Sequence, residues 1–508
     1  MSSEETFYVT TPIYYVNDRP HIGHVYSTTV ADILARFHRL DGREVFFLTG
    51  TDEHATKVVD AAAERDLSPQ AWADQNAEAF EQTFKRLGLT HDDFIRTSES
   101  RHMERVGRYV QELLDAGEIY EGDYEGWYDA GQEEYIPENK AKELDYTSPF
   151  NGKPLVRKQE KNYFFRLSEY ADDLLALYEN DPGFVKPDAR RNEVSARVRE
   201  GLNDVPISRR VTDESASWGI RVPGDDEHVI YVWIDALFNY LSTIDTDERR
   251  HLWPANVHVI AKDILWFHAV IWPAILLALG KRPDYQWLGR PERVYAHSFW
   301  IAEGRKMSKS LGNFIDLEKI DEYVATFGLD ALRWFLARNG PLGTTDSDFA
   351  ESLFVETYNN ELANTIGNCL NRVCNMTSRY FDGELPAPDG DVPEADQLAK
   401  SIDGRIKTYR DAMDRQALHQ ANEVAVELVR DVNGFIDVTE PFRRIKDESR
   451  RDEVATILYA CAEAMRIASL LLWPTMPERA AEALGRLGRQ AWADQLADRG
   501  RGELGDWL

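Results

Sequence analysis

Apolar residues at Val30, Ile33, Leu34, Phe37 and Leu40 recur at helical spacing and share one face. Upstream, residues 7–11 form a β-prone run, Pro12 predicts a turn, and Asn17, Asp18 and Pro20 predict a polar loop. The segment 7–40 therefore reads strand, loop, helix, with His21, Gly23 and His24 where the helix begins. Residues 45–49 are a buried-strand pattern ending in Gly50-Thr51-Asp52-Glu53-His54. Helical patterns follow at 69–87 and 101–116. Further strands are predicted at 229–234 (VIYVWI), 257–260 and 294–296, with an apolar helix running to Leu279. Strands alternating with helices imply a parallel sheet.

The pattern changes twice. Between Gly117 and Pro223 aromatics sit among glycines and acids, and arginines cluster after residue 190, as in an insertion of about 100 residues. From residue 351 long helices dominate, at 351–380, 396–414, 417–436 and 452–472, interrupted by a proline-rich 385–393. In the first of them Leu353, Tyr358, Leu362, Ile366, Leu370 and Val373 mark one face. The expected organisation is a Rossmann-like α/β domain in two halves, 1–116 and 224–297, around an insertion at 117–223. A loop region at 298–350 and an all-α bundle at 351–508 complete it.

Composition narrows the classes. No consecutive apolar run approaches the roughly 20 residues of a membrane span, so no membrane association is expected. The first residues, MSSEET, lack the basic and apolar regions of a signal peptide. Three cysteines, Cys369, Cys374 and Cys461, make no disulfide framework and fit a reducing cytoplasm. The net charge of −29 disfavours nonspecific nucleic-acid binding, so an RNA partner would have to meet local patches. The acidic, arginine-rich composition fits a salt-rich cytoplasm; genomic bias toward arginine codons explains part of it equally well.

A strand–loop–helix junction suits a nucleotide. Free N–H groups and the dipole of a helix N-terminus attract phosphate, and imidazole N–H groups add donors. Gly23 lets a flat base approach the backbone. A lone H-x-x-H is more often a pair of surface histidines. Here Lys306-Met307-Ser308-Lys309-Ser310 stands far downstream, and Lys306 and Lys309 could reach the same phosphates. Gly304 and Gly312 flank that loop and would let it close.

The pair resembles the HIGH and KMSKS signatures of class I aminoacyl-tRNA synthetases, in the expected order. The longer motifs TPIYYVN (11–17), TGTDEHATK (49–57), YVWIDAL (231–237) and KDILWFH (262–268) resemble methionyl-tRNA synthetases, over residues 7–480. The valyl, isoleucyl and leucyl enzymes need longer chains for editing, and the cysteinyl type needs a thiolate zinc site near the sheet. The resemblance implies ATP-dependent ligation of L-methionine to tRNA(Met) through methionyl-adenylate, with Mg²⁺ accompanying ATP. It assigns His21, Gly23, His24, Lys306 and Lys309 to ATP, and Ala261, Lys262 and Asp263 to adenosine. It assigns Ile13, Tyr15, Trp233, Ala236, Leu237, Tyr240, Ile264 and His268 to a methionine pocket, with Asp52 holding the ammonium. Asn375, Arg379 and Phe442 would read the anticodon. Without the resemblance, Trp233 and Tyr240 read as core residues seven apart on a helix.

Several positions depart from common family forms. The insertion resembles the connective-peptide domain but has no cysteine for a zinc knuckle; Asp129 stands where a first cysteine would be. No zinc is expected, and a knuckle-like shape would rest on aromatics and turns. Ala261 replaces a frequent glycine, and Phe442 a frequent tryptophan. The terminal dimerisation domain of some members is missing, so a monomer is expected. Two other classes remain to weigh. A noncatalytic RNA-binding paralogue should have lost some of His21, His24, Lys306 and Lys309. A small-molecule adenylyltransferase would not need the C-terminal helices.

The charge of −29 generates one prediction: added KCl screens repulsion among the excess carboxylates. The melting temperature should hold or rise with KCl; a steady fall would reject the idea.

Overall fold

The computed structural model describes residues 6–129, 134–136, 138–149, 152–212, 215–307 and 312–497. Six parallel strands form its central sheet: β1 (Thr6–Tyr15), β2 (Glu44–Asp52), β3 (Asp93–Arg96), β4 (Val185–Lys186), β5 (Val257–Ala261) and β6 (Val294–His297). Their order across the sheet is β3-β2-β1-β5-β6-β4. The chain winds outward from β1 in one direction and from β5 in the other. That makes the β1/β5 boundary the switch point, where a crevice opens beyond the carboxyl ends of the strands. Both central strands are buried, which explains their near-continuous apolar runs.

Three expectations change. Pro12 is not a turn; it lies inside β1. Pairing with β2 steps from Thr10↔Leu48 to Ile13↔Gly50, three residues against two. The extra residue is a bulge, and a proline without an N–H is tolerated there. The run 229–234 is not a strand of the parallel sheet. Its start ends a strand, Asp225–Ile230, that pairs antiparallel with Ser208–Arg210 and Arg221–Val222 in a separate small sheet. Its remainder enters helix α2 (Val232–Leu237). A short apolar run fits a strand or a buried helix equally well by periodicity. Finally, residues 448–472 include a helix apolar and long enough to cross a membrane by composition, which a count of consecutive apolar residues overlooks. Within the bundle 72% of its apolar window is buried, as in a core helix.

The 117–223 stretch is built on an antiparallel pair, Ile119–Asp129 with Val156–Phe165. It is not wholly separate, because β4 lies along β6. At its tip Glu138 accepts from Trp127 Nε1 (2.7 Å) and from the Tyr146 hydroxyl (3.1 Å), over a small cluster of Ile136, Ala141 and Leu155. A carboxylate thus joins the expected aromatics, and Asp129 is buried nearby.

Helix α1 (Ile22–Leu40) crosses from β1 to β2 and is buried along almost its whole length. On its second half Asp32, fully buried, accepts from Arg36 Nε (2.8 Å), from the Thr90 N–H and hydroxyl (2.7 and 2.6 Å), and from Arg333 Nη2 (2.7 Å). Arg333 lies on helix α3 (Leu329–Asn339) and also donates to the carbonyls of Thr475 and Pro474. Those carbonyls follow the last long helix of the C-terminal bundle. That bundle packs α4 (Asn368–Phe381), α5 (Pro393–Asp414), α6 (Leu418–Thr439) and α7 (Arg451–Leu472), followed by α8 (Pro477–Arg486). Burial pushes the Asp32 carboxyl upward, but Arg36, Arg333 and Thr90 outweigh it and hold it well below the usual range. Its ion-pair stability is present above the ordinary carboxylate value and lost as pH falls toward the depressed one.

Removing one partner of such a buried pair leaves a charge uncompensated. Arg333→Leu should cost about 3–5 kcal/mol of unfolding free energy, read by urea titration at neutral pH. A loss below about 1 kcal/mol would show that the pair is dispensable.

Candidate active site

The carboxyl ends of β1 and β5, the N-terminus of α1 and helix α2 enclose a cleft of about 600 Å³. The α1 terminus is unusual. His21 is the N-cap, and its Nδ1 accepts from the Gly23 N–H (3.1 Å). His24 reciprocates, its Nδ1 accepting from the His21 N–H (3.3 Å). Two histidines thus form a capping box. The rings stack at 3.8 Å. Both Nδ1 atoms accept, so each neutral ring carries its proton on Nε2. Burial, and then the neighbouring His21, lower the His24 imidazole well below its ordinary value of 6.5. A Cβ on Gly23 would lie 2.9 Å from the His21 ring. The glycine therefore makes room for the cap itself.

Sheet geometry positions Asp52. It is the last residue of β2, in register with Tyr15, and only 2% exposed. Two residues earlier, a Cβ on Gly50 would lie 2.0 Å from the Ile95 carbonyl of β3, so the backbone passes there only with glycine. Behind the cleft Asp235 accepts from His54 Nδ1 (2.6 Å) and His102 Nε2 (2.7 Å), anchoring α2 to the β2 loop. Burial would raise its carboxyl, but the two histidines bring it below the usual range.

An aromatic box forms the apolar wall. Trp233 stacks on Phe267 at 4.2 Å and meets Tyr15 edge-on at 5.9 Å. Its Nε1–H has no hydrogen-bond partner among the described residues. The Tyr240 hydroxyl donates to His268 Nε2 (2.7 Å), because His268 Nδ1–H donates to the Ile264 carbonyl (3.0 Å). Burial pushes His268 down to about 4. Trp233 and Tyr240 do not share one helix; a break at Phe238 separates α2 from a turn at Asn239–Ser242.

Of the residues singled out in the sequence, His21, Gly23, His24, Ile13, Tyr15, Asp52, Trp233, Ala236, Leu237, Tyr240, Ala261, Asp263, Ile264 and His268 all line this cleft. Asp263 opens onto it, yet protein surrounds its other sides; that burial raises its carboxyl against hydrogen bonds from its own and the Ile264 N–H. Lys262 does not line the cleft. Its Nζ donates to Asp346 (2.6 Å) and lies over the Phe299 ring. Lys306 is exposed on a short strand that pairs antiparallel at Ile301, and Lys309 lies outside the described residues. Asn375, Arg379 and Phe442 are all exposed on the distant bundle. Phe442 is 39% exposed and so is not a core residue beneath Pro441.

Sequence reasoning passed over Phe267, Lys57, and the run from His297 to Trp300, all of which line the cleft. The last four begin at the carboxyl end of β6, so the rule that located Asp52 could have found them. His297 Nδ1–H donates to the Ser298 carbonyl (2.7 Å), and Ser27 donates to its Nε2 (2.8 Å). Burial lowers its imidazole to about 4. Beyond the loop, the Ile22 N–H donates to the Ile315 carbonyl (3.2 Å), tying the second stem of the loop to the start of α1.

A switch-point cleft with a histidine-capped helix at its mouth is the arrangement of class I tRNA synthetases. A family model described as "tRNA synthetases class I (M)" matches residues 7–150 and 140–374. The methionine–tRNA ligase of Streptomyces coelicolor is 43% identical, over 99% of this chain and 93% of its own length. That of Brucella suis is 42% identical, over 98% and 94%. Among solved structures, Mycobacterium tuberculosis methionyl-tRNA synthetase in complex with methionyl-adenylate superposes with a TM-score of 0.87, at 39% identity, covering 94% of this chain and 93% of that one. Its free-state structure gives 0.80 at 36% identity, covering 94% and 91%. The chain belongs to the methionine–tRNA ligases, the methionyl-tRNA synthetase family.

The capping box carries its own prediction. In an NMR titration from pH 8 down to 6.5, the His24 ring resonances should not move, because the imidazole is already neutral throughout. A midpoint at or above 6.5 would show that the ring is solvated rather than buried in the cap.

Proposed function

We propose that this cleft performs both half-reactions of methionine ligation. The chain joins L-methionine to tRNA(Met) with ATP, through methionyl-adenylate, releasing pyrophosphate and AMP. The observation that carries the reading is the cap: two stacked imidazoles, each with Nδ1 on the backbone, at the positive end of a helix in the switch-point cleft.

The methionine carboxylate is already a nucleophile at neutral pH, so attack on the α-phosphorus needs no general base. Catalysis is then in-line placement and stabilisation of charge on the leaving pyrophosphate. His21 and His24 donate to the triphosphate. Lys306 and Lys309 approach from the loop, with Gly304 and Gly312, both at positive φ, as hinges. Among the described residues no three His, Cys, Asp or Glu side chains converge to hold an ion by themselves. Mg²⁺ is bound largely through substrate phosphates and water, so it enters with ATP. Lys262 must leave Asp346 before it can contact adenosine.

Asp52 takes the ammonium. The thioether lies against Tyr15, Trp233 and Phe267, where a polarizable sulfur favours ring edges. The Tyr240–His268 pair closes the floor. A neutral His268 accepts the tyrosine's hydrogen bond at Nε2, so no charge is presented to the sulfur. For the second step, exposed Asn375 and Arg379, four residues apart on α4, share a face and can bond anticodon base edges. Exposed Phe442 offers a ring for stacking. A monomer in the cytoplasm is the setting this reading expects.

Methionine-dependent ATP–pyrophosphate exchange, followed by charging of tRNA(Met), tests the whole reading; exchange that ignores methionine would end it. Phe442→Ala should weaken charging by about 1–3 kcal/mol, the range for lost base–aromatic stacking, with exchange unchanged. Equal loss in both steps, or none in charging, would remove Phe442 from the anticodon site.

A further inference from the structure

Residues Glu351–Phe381 form one uninterrupted helix: an α-helical start, a π-helical middle at Tyr358–Gly367, and α4. Its inner face is apolar. Its outer face carries Asn359, Asn360, Asn364, Asn368, Asn371 and Asn375, all exposed. Asparagine is a weak helix former, roughly 0.5 kcal/mol worse than alanine per interior position. Six of them on one solvent face is a local cost with no packing return, which points to contact with something else.

Charge points to what that is. With 88 Asp and Glu among 508 residues, about five would be ordinary in the 31 residues of this helix; there are three, Glu351 and Glu356 in its first turns and, beyond them, Glu361. That carboxylate faces inward, accepting from Trp334 Nε1 (2.8 Å) and from Arg338 (2.6 and 3.1 Å). Arg372 and Arg379 lie on the same helix. Of the carboxylates packed nearest, Asp437 is held by Arg372, and Glu482 on α8 by Arg479 and Arg486. Arg486 also donates to the Asn371 side chain across a groove of about 250 Å³. On a chain of net charge −29, the helix itself thus turns no carboxylate outward over about 28 Å between Asn360 and Arg379, while Asp330 and Glu478 stand across the groove at its side.

We propose that the asparagine face is a binding track for the ribose–phosphate backbone of tRNA, running from the base of the catalytic body to the anticodon-reading residues. The proposal rests on the reading that tRNA is a substrate. Each amide offers two N–H donors to phosphate oxygens and a carbonyl acceptor to a 2′-hydroxyl. Such contacts set register on the RNA without reading sequence. They also survive salt better than ion pairs, because neutral donors release few counterions.

The test compares Asn364→Asp/Asn368→Asp with Asn364→Gln/Asn368→Gln, both at exposed positions. The Asp pair removes the amide donors and sets two carboxylates against phosphate. It should raise the KM for tRNA(Met) in charging about tenfold near 0.1 M salt, and less as salt is added. The Gln pair should stay within about twofold of wild type, because it keeps the amides. Methionine-dependent pyrophosphate exchange, which needs no tRNA, should be unmoved in both. An unchanged KM in the Asp pair overturns the track, and so does an Asp pair that loses exchange in proportion, which marks a structural role. A wild-type chain that exchanges pyrophosphate but charges no tRNA would instead sink the functional reading on which the track rests.

Discussion

One buried carboxylate sets the geometry of the molecule. Asp32 sits in the middle of α1 and gathers donors from its own helix, from the strand-connecting segment at Thr90, and from Arg333. Arg333 in turn holds two carbonyls at the end of the helical bundle. Taking these charges out of water is costly, and only the full set of partners repays it. The arrangement is therefore close to all-or-none. It fixes the axis and rotation of α1 against both the sheet and the bundle, and so fixes the direction in which the helix N-terminus faces the cleft.

What that terminus presents is set by polarity rather than charge. The two cap histidines spend Nδ1 on the backbone, and burial keeps His24 neutral. His268 and His297 are neutral for the same reason, each oriented by donating Nδ1–H to a carbonyl. The cleft thus holds four imidazoles with defined tautomers. Asp18, Asp52 and Asp263 supply its carboxylates, and Arg19 and Lys57 its cationic side chains.

The same economy extends to the outer surface. A chain with net charge −29 repels RNA by default, and relief is local. From Asn360 to Arg379 the long helix turns its one carboxylate inward, and neighbouring Asp437 and Glu482 are paired with arginine, leaving neutral amides exposed. That pattern is hard to explain by packing or helix propensity.

How much of this was legible beforehand follows from range. Local patterns marked α1, β2, β5, β6 and the long C-terminal helices, because each has a one-faced or continuous apolar signature. They also marked the strand–loop–helix junction and its histidines, and motif resemblance supplied most of the cleft wall. Periodicity could not tell that residues 229–234 divide between an antiparallel strand and a helix, because a six-residue apolar run serves either. Nor could it see that Pro12 sits in a bulge, since that depends on the neighbouring strand. Phe267 and the run after His297 entered the cleft only when β5 and β6 were placed beside β1. The Asp32–Arg333 pair, the Asp235 clamp and the Lys262–Asp346 pair join residues from 84 to 301 apart in sequence. No local pattern encodes such pairings. The sequence by itself determined the long helices and the buried central strands and singled out most of the side chains that line the cleft; the tertiary structure alone decided which of them meet, because burial and hydrogen-bond satisfaction are properties of the packed chain.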